Sequence, residues 1–110
     1  MGWDGYANRS RGNIRKFKKA AEAVKSAAGA VDGMLERGAL DCSACAMALE
    51  AATGASCWDD DGWDAKKVRR LAASATWPSE LATKDAWAVL SAKAFLETCA
   101  EIGTGIHFSW

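Results

Sequence analysis

Residues 79–103 read SELATKDAWAVLSAKAFLETCAEIG, a helical pattern with few polar positions. At about 100° per residue, one stripe of this helix carries Leu81, Ala88, Ala92, Phe95, Cys99 and Ile102. The opposite side carries Trp87, Leu90 and Ala94, so the helix is apolar on two faces. Because such a helix needs packing partners on two sides, we expect it to lie in the middle of the fold.

Capping residues set the expected ends of this central helix and of the helix before it. Ser79 is the expected N-cap of the central helix, and Gly103 suits a left-handed C-terminal stop. The third helix is expected to begin near Asp61 or Asp64, either of which is a suitable N-cap.

Two further helices are predicted in the first half of the chain. The first runs from an N-cap at Asn13 to about residue 37, with Gly29 and Gly33 inside it. Glycine is unfavourable in a helix interior, so the helix either packs closely at this pair or breaks there, and we favour close packing. The second spans residues 42–53, with Asp41 as N-cap and Gly54 as terminator.

The composition favours an all-α fold in a single domain, residues 1–110. Half of the residues are hydrophobic and there is one proline, while alanine is abundant and β-branched residues are few. We expect a compact bundle of about four helices with an irregular N-terminal segment and a short extended C-terminal tail. In that tail Ile106, Phe108 and Trp110 alternate with polar residues, so it either pairs with the N-terminal segment or lies along the helices.

The net charge is zero but unevenly distributed. Residues 1–31 carry a net charge of +5 and the remainder −5. No stretch approaches the ~20 apolar residues of a membrane span, and the first residues lack the order of a signal peptide. We therefore expect a soluble cytoplasmic protein without membrane contact, whose four cysteines are reduced.

The cysteines form the nearest approach to a metal motif. Cys42 and Cys45 have the CxxC spacing that can bind one zinc ion, and Cys57, Cys99 and His107 are the remaining candidates, without recognisable spacing. Most of these thiols fall on apolar helix stripes, which favours cysteines that pack as small hydrophobic residues. Metal binding and dithiol redox chemistry are the alternatives, and we predict no cofactor.

The acidic run that follows Cys57 resembles a calcium loop only in part. With Gly62 at the sixth position, Cys57 and Val68 occupy positions that require an aspartate and a glutamate. We therefore interpret the run as an acidic turn before a helix. His107 is the only histidine and no phosphate-binding glycine loop is present, so we predict that the protein is not an enzyme.

The aromatic residues outside the helices suggest a binding function. Tryptophan and tyrosine are enriched in the energetic centres of protein interfaces. We predict a non-enzymatic module that docks on a larger protein or complex, as inhibitors from phages and mobile elements do, anti-CRISPR proteins among them. The predicted partner-binding residues are Trp3, Tyr6, Arg9, Arg11, Arg15, Lys19, Trp58, Asp59, Asp60, Asp61, Trp63, Lys66 and Arg70.

Nucleic-acid binding is the alternative function. The basic residues within 9–25 and 66–70 would contact phosphates, and such binding would weaken steeply with salt. A homodimer is a further alternative, because a two-faced helix or a terminal strand can pair with a second copy.

Overall fold

The structure, a computed structural model, describes residues 3–58, 61–78 and 86–110. Within these residues four helices lie on one side of a small antiparallel sheet, and the Cα radius of gyration is 12.4 Å. The elements in chain order are β1 Asp4–Tyr6, α1 Arg11–Ala28, a short 3-10 helix Leu35–Arg37, β2 Ala39–Leu40, α2 Ser43–Thr53, β3 Gly62–Trp63, α3 Ala65–Ser74, α4 Ala86–Ile102 and β4 Ile106–Ser109.

The sheet shows that the all-α prediction is wrong. Its strand order is β2-β1-β4-β3, and every neighbouring pair is antiparallel. The N-terminal segment, expected to be irregular, forms β1 and pairs with both β2 and β4. The strands are two to four residues long, so most are too short to show an alternating pattern in the sequence.

The alternation near the C-terminus is the exception, and the extended tail is confirmed. Ile106 and Phe108 are buried, while His107 and Ser109 face outward. The register places Gly5 opposite Phe108, and Gly62 opposite His107. Gly62 must be glycine because a Cβ atom there would collide with the backbone carbonyl of Ile106.

Helix α1 begins and ends at different residues from those expected. Its N-cap is Ser10, whose hydroxyl accepts from the Asn13 amide at 3.4 Å. It ends at Gly29, which is left-handed with φ 77°. The expectation of close packing at Gly29 and Gly33 is wrong, because a Cβ added at either position would meet no atom within 4 Å.

The ends of α2 and α3 agree more closely with those expected from the sequence. Cys42, rather than Asp41, is the N-cap of α2, and Gly54 ends the helix at φ 73° as predicted. Asp64 is the N-cap of α3, and its carboxylate accepts from the Lys67 amide at 2.7 Å. Of the two proposed starts of the third helix, the one at Asp64 is therefore confirmed.

Helix α4 contacts α1, α2 and α3, which confirms its expected central position. Its C-terminal stop at Gly103 is also confirmed, with φ 74°. The predicted N-cap Ser79 lies outside the described residues. Trp87 and Leu90 on the second face are only half-buried, so that face is covered less completely than the first. Within the described residues, no helix is long and apolar enough to cross a membrane.

Aromatic side chains fill the space between the sheet and the helices. Phe108 lies 5.6 Å from Trp3 and 5.0 Å from Trp63 between ring centroids, the second pair being edge-to-face at 87°. We call Trp3, Trp63 and Phe108 the aromatic cluster. On the helical side, Phe17 of α1 and Phe95 of α4 pack at 5.7 Å. Both groups of rings belong to one hydrophobic core of buried residues.

Candidate functional site

Two of the predicted partner-binding tryptophans belong to the core. Trp3 is 0% exposed and Trp63 is 2% exposed, which corrects the expectation that they lie on a binding surface. Trp3 directly precedes β1 and Trp63 lies in β3, and both side chains are on the buried side of the sheet. The Trp3 indole donates to the Cys57 carbonyl at 3.1 Å. The Trp63 indole N–H is also buried, and it has no hydrogen-bond partner among the described residues.

The aromatic contacts continue from the core to the surface through two other tryptophans. Trp58 is half-buried, and its ring centroid lies 6.4 Å from that of Trp3. On its other side Trp110 lies 6.3 Å away and is 49% exposed. We call Trp58 and Trp110 the exposed tryptophan pair. Trp58 belongs to the predicted set and Trp110 does not, because only the fold shows which terminal aromatic residue remains exposed.

Tyr6 lies on the outer face of the sheet. It pairs across strands with His107, and the Arg9 guanidinium lies 5.3 Å from the centroid of the Tyr6 ring. The phenol ring is half-buried, so the Tyr6–Arg9 contact forms part of the surface rather than of the core.

The predicted basic residues lie on exposed helix positions. Arg11, Arg15 and Lys19 are exposed along α1, while Lys66 and Arg70 are exposed on α3. These two groups belong to separate helices, each packed against α4. The one salt bridge recorded within the described parts of the chain joins Lys16 to Glu101 at 3.1 Å. The structure therefore shows an exposed basic surface on α1.

The acidic turn is described only at its end. Asp59 and Asp60 lie outside the described residues. Asp61 is exposed, and its backbone carbonyl accepts from the Phe108 amide at 2.8 Å. Asp61 thus extends the hydrogen bonding next to β3.

The cysteines are placed differently from the expected metal constellation. Within the described residues, Cys57, Cys99 and His107 belong to no group of converging ligand atoms. Cys42 and Cys45 instead meet Asp32, and the three ligand atoms all lie within 4.8 Å of one another. We call Asp32, Cys42 and Cys45 the acid–thiol corner. The sequence spacing does not indicate Asp32 as a ligand, because a 3-10 helix and a strand separate it from the two cysteines along the chain.

Asp32 makes hydrogen bonds through both carboxylate oxygens and through its backbone amide. Its side chain is almost fully buried, at 3% exposure. One carboxylate oxygen accepts from the Met34 amide at 2.9 Å, and the other accepts from the Asp41 amide at 3.1 Å and from the Cys45 thiol at 3.5 Å. The Asp32 amide donates to the Ser91 hydroxyl of α4 at 3.0 Å. This aspartate therefore ties the loop after α1 to both α2 and α4.

The surroundings raise the pKa values of Asp41 and of the thiols of Cys45, Cys57 and Cys99. Partial desolvation, together with a hydrogen bond and charge repulsion from Asp32, raises the pKa of Asp41 to about 6. Burial, followed by the neighbouring Cys42 and Asp32, raises the pKa of the Cys45 thiol. Burial also raises the pKa of Cys57 to about 12 and that of Cys99 above its ordinary value. Burial thus disfavours the thiolate form of these three side chains in the metal-free chain.

In comparisons with known proteins, the chain matches no family model, and neither a curated protein nor a solved structure is significantly similar to it.

Proposed function

We propose that this protein is a non-enzymatic binding module that docks on a larger protein through the exposed tryptophan pair. The observation that carries the proposal is the half-exposed ring of Trp110, supported from below by Trp58 at 6.3 Å. Trp58 in turn packs against the buried Trp3. The surface tryptophan is therefore held by the core rather than by a loose segment of chain.

A supported tryptophan is well suited to bind a pocket on a partner. Its large apolar surface is removed from water on binding, and a ring that is already ordered loses little conformational entropy. Trp58 is followed in the sequence by three aspartates, Asp59 to Asp61. We therefore expect the partner surface to present an apolar pocket with basic side chains at its rim.

Binding without chemistry would make the protein an inhibitor or adaptor of that partner. A small cytoplasmic protein that covers a surface of a host complex would act in this way. Inhibitors carried by phages and mobile elements, such as anti-CRISPR proteins, are of this type. The comparison is an analogy of type only, and the proposal does not depend on it.

The first experiment is affinity capture with the tagged full chain, after nuclease treatment, followed by calorimetry with the purified partner. We expect Trp110→Ala to weaken binding by about 30-fold or more, as for residues at the energetic centre of an interface. Met47→Ala is the matched control, since Met47 is 67% exposed and lies outside the pair. Equal binding by Trp110→Ala and the wild-type chain, or self-association through Trp110, would contradict the proposal.

Nucleic-acid binding through α1 is the second candidate, favoured by the exposed basic positions of that helix. Arg11, Arg15 and Lys19 are exposed, and no salt bridge is recorded for them within the described residues. Fluorescence anisotropy with a labelled duplex would test this, using Arg11→Glu combined with Arg15→Glu. Phosphate contacts predict an affinity that falls steeply with salt and a shallower salt dependence in the variant. An affinity unaffected by salt would exclude this candidate.

A further inference from the structure

We propose that the acid–thiol corner, Asp32, Cys42 and Cys45, binds a divalent transition metal ion, with Zn²⁺ as the typical occupant. This site is independent of the docking function, because none of its three ligands belongs to the exposed tryptophan pair. Three donor atoms converge there, and their spacing and the local charge suit such an ion.

The donors come from two separate segments of the chain. Asp32 follows α1, whereas Cys42 and Cys45 belong to the N-terminal turn of α2. Their ligand atoms lie within 4.8 Å of one another, and the Cys45 Sγ to Asp32 Oδ2 distance is 3.5 Å. In a tetrahedral zinc site, with Zn–S of about 2.3 Å and Zn–O of about 2.0 Å, the S···O separation is also about 3.5 Å. The Cys45 and Asp32 ligand atoms thus already have the separation that one such ion requires, and the Cys42 sulfur lies within 4.8 Å of both.

The start of α2 brings the two cysteine side chains to one side of the helix. Cys42 is the N-cap, in an extended conformation with φ −119° and ψ 131°, and Cys45 is three residues further on. Residues three apart at a helix start point to the same side. Cys42 is half-buried whereas Cys45 is fully buried, so the first thiol gives the ion a path from solvent.

Charge and hydrogen bonding also fit a cation. Asp32 is buried, and no salt bridge between it and a lysine or arginine is recorded within the described residues. A buried carboxylate is favoured when a cation neutralises it. The amides of Met34 and Asp41 already orient its two oxygens, which is the role that outer-shell groups have in metal sites.

The donor set selects the class of ion. Two sulfurs and one carboxylate suit Zn²⁺ and related transition metals, whereas Ca²⁺ and Mg²⁺ require oxygen ligands. Water or the adjacent Asp41 carboxylate, which is hydrogen-bonded to Asp32, would complete the coordination. A bound ion would connect the loop after α1 directly to α2, and would stabilise the 3-10 helix and β2 that lie between them.

The experiment titrates Co²⁺ into the reduced, metal-free full chain and follows the thiolate-to-cobalt charge-transfer absorption. We expect one ion per chain, displacement of Co²⁺ by Zn²⁺, and a higher melting temperature with Zn²⁺. Cys42→Ser should lower the affinity at least about 10-fold, because removing a ligand costs at least as much as removing an outer-shell partner. Asp32→Asn should also weaken binding while keeping one acceptor oxygen in the loop.

Cys57→Ala is the matched control, since Cys57 is buried but lies outside the converging ligand group found in the described residues. It should bind Co²⁺ as the wild-type chain does. An absence of charge-transfer absorption in the wild type would overturn the proposal, as would absorption of equal strength in Cys42→Ser. Rapid formation of a Cys42–Cys45 disulfide in a chain that binds no metal would also overturn it, in favour of dithiol chemistry.

Discussion

The aromatic cluster and the acid–thiol corner are both buried, but they are stabilised in different ways. The aromatic cluster is stabilised by the burial of apolar surface. The ring centroid of Phe108 lies 5.6 Å from that of Trp3 and 5.0 Å from that of Trp63. The buried indole N–H of Trp63 has no hydrogen-bond partner among the described residues. In the acid–thiol corner, each Asp32 oxygen accepts at least one hydrogen bond. A large apolar contact tolerates one unmade hydrogen bond, whereas a buried carboxylate depends on all of its donors.

The largest effect is expected for Phe108→Ala, which removes the ring between Trp3 and Trp63. The lost burial and the resulting cavity should lower the free energy of unfolding by about 3–5 kcal/mol. Urea denaturation would measure it, with Trp110→Ala as an exposed aromatic control that should cost less than about 1 kcal/mol. Similar losses for the two variants would show that the aromatic cluster is not the core of the sheet layer.

Asp32→Ala tests the acid–thiol corner and should have the next largest effect. Removing the carboxylate leaves the part-buried amides of Met34 and Asp41 without their acceptor, at a cost of about 2–3 kcal/mol. The measurement is urea denaturation with a chelator present, so that metal binding does not contribute. Asp32→Asn keeps one acceptor oxygen and should lose less. Equal stability of Asp32→Ala and wild type would contradict the assigned role.

Trp3→Phe and Trp63→Phe compare two buried indoles of similar exposure within the aromatic cluster. Trp3→Phe removes the hydrogen bond to Cys57, whereas Trp63→Phe removes a donor without a described partner. The Trp3 variant should therefore be less stable than the Trp63 variant by about 1–2 kcal/mol. Thermal and urea denaturation of both proteins would measure the difference. The reverse order would mean that packing, rather than the hydrogen bond, dominates at these positions.

Alkaline pH should reveal the smallest effect, through the buried thiol of Cys57. Burial raises its pKa from 9.0 to about 12, so the folded chain keeps a proton that the unfolded chain has lost. The free energy of unfolding should therefore fall by about 1 kcal/mol from this thiol as the pH rises from 9 to 10. Cys57→Ala should show a shallower fall over that range. An unchanged slope would place the thiol in contact with solvent.

Local signals in the sequence predicted most of the helical layer. Gly54, Asp64 and Gly103 were correctly assigned as helix ends, because capping depends on residues that are close in the chain. The error at Gly29 has the same local origin. A glycine within an apolar stripe is compatible with either close packing or a helix end, and only the chain beyond it decides between them.

The candidate sites were less predictable because they depend on distant segments. Trp3 and Trp58 looked equivalent in the sequence, yet one is fully buried and the other lies at the surface. CxxC was visible as a motif, but its third potential ligand, Asp32, precedes Cys45 by 13 residues. No spacing rule connects them, since the path between them includes a 3-10 helix and a strand.

The sequence by itself determined where the helices form and which of their faces are apolar, because periodicity and capping act over a few residues. Only the tertiary structure decided that β1 and β4, from opposite ends of the chain, pair to form a sheet. Strands of three and four residues gain stability from their partners rather than from their own sequence. That pairing is also what buries Trp3 and leaves Trp110 exposed.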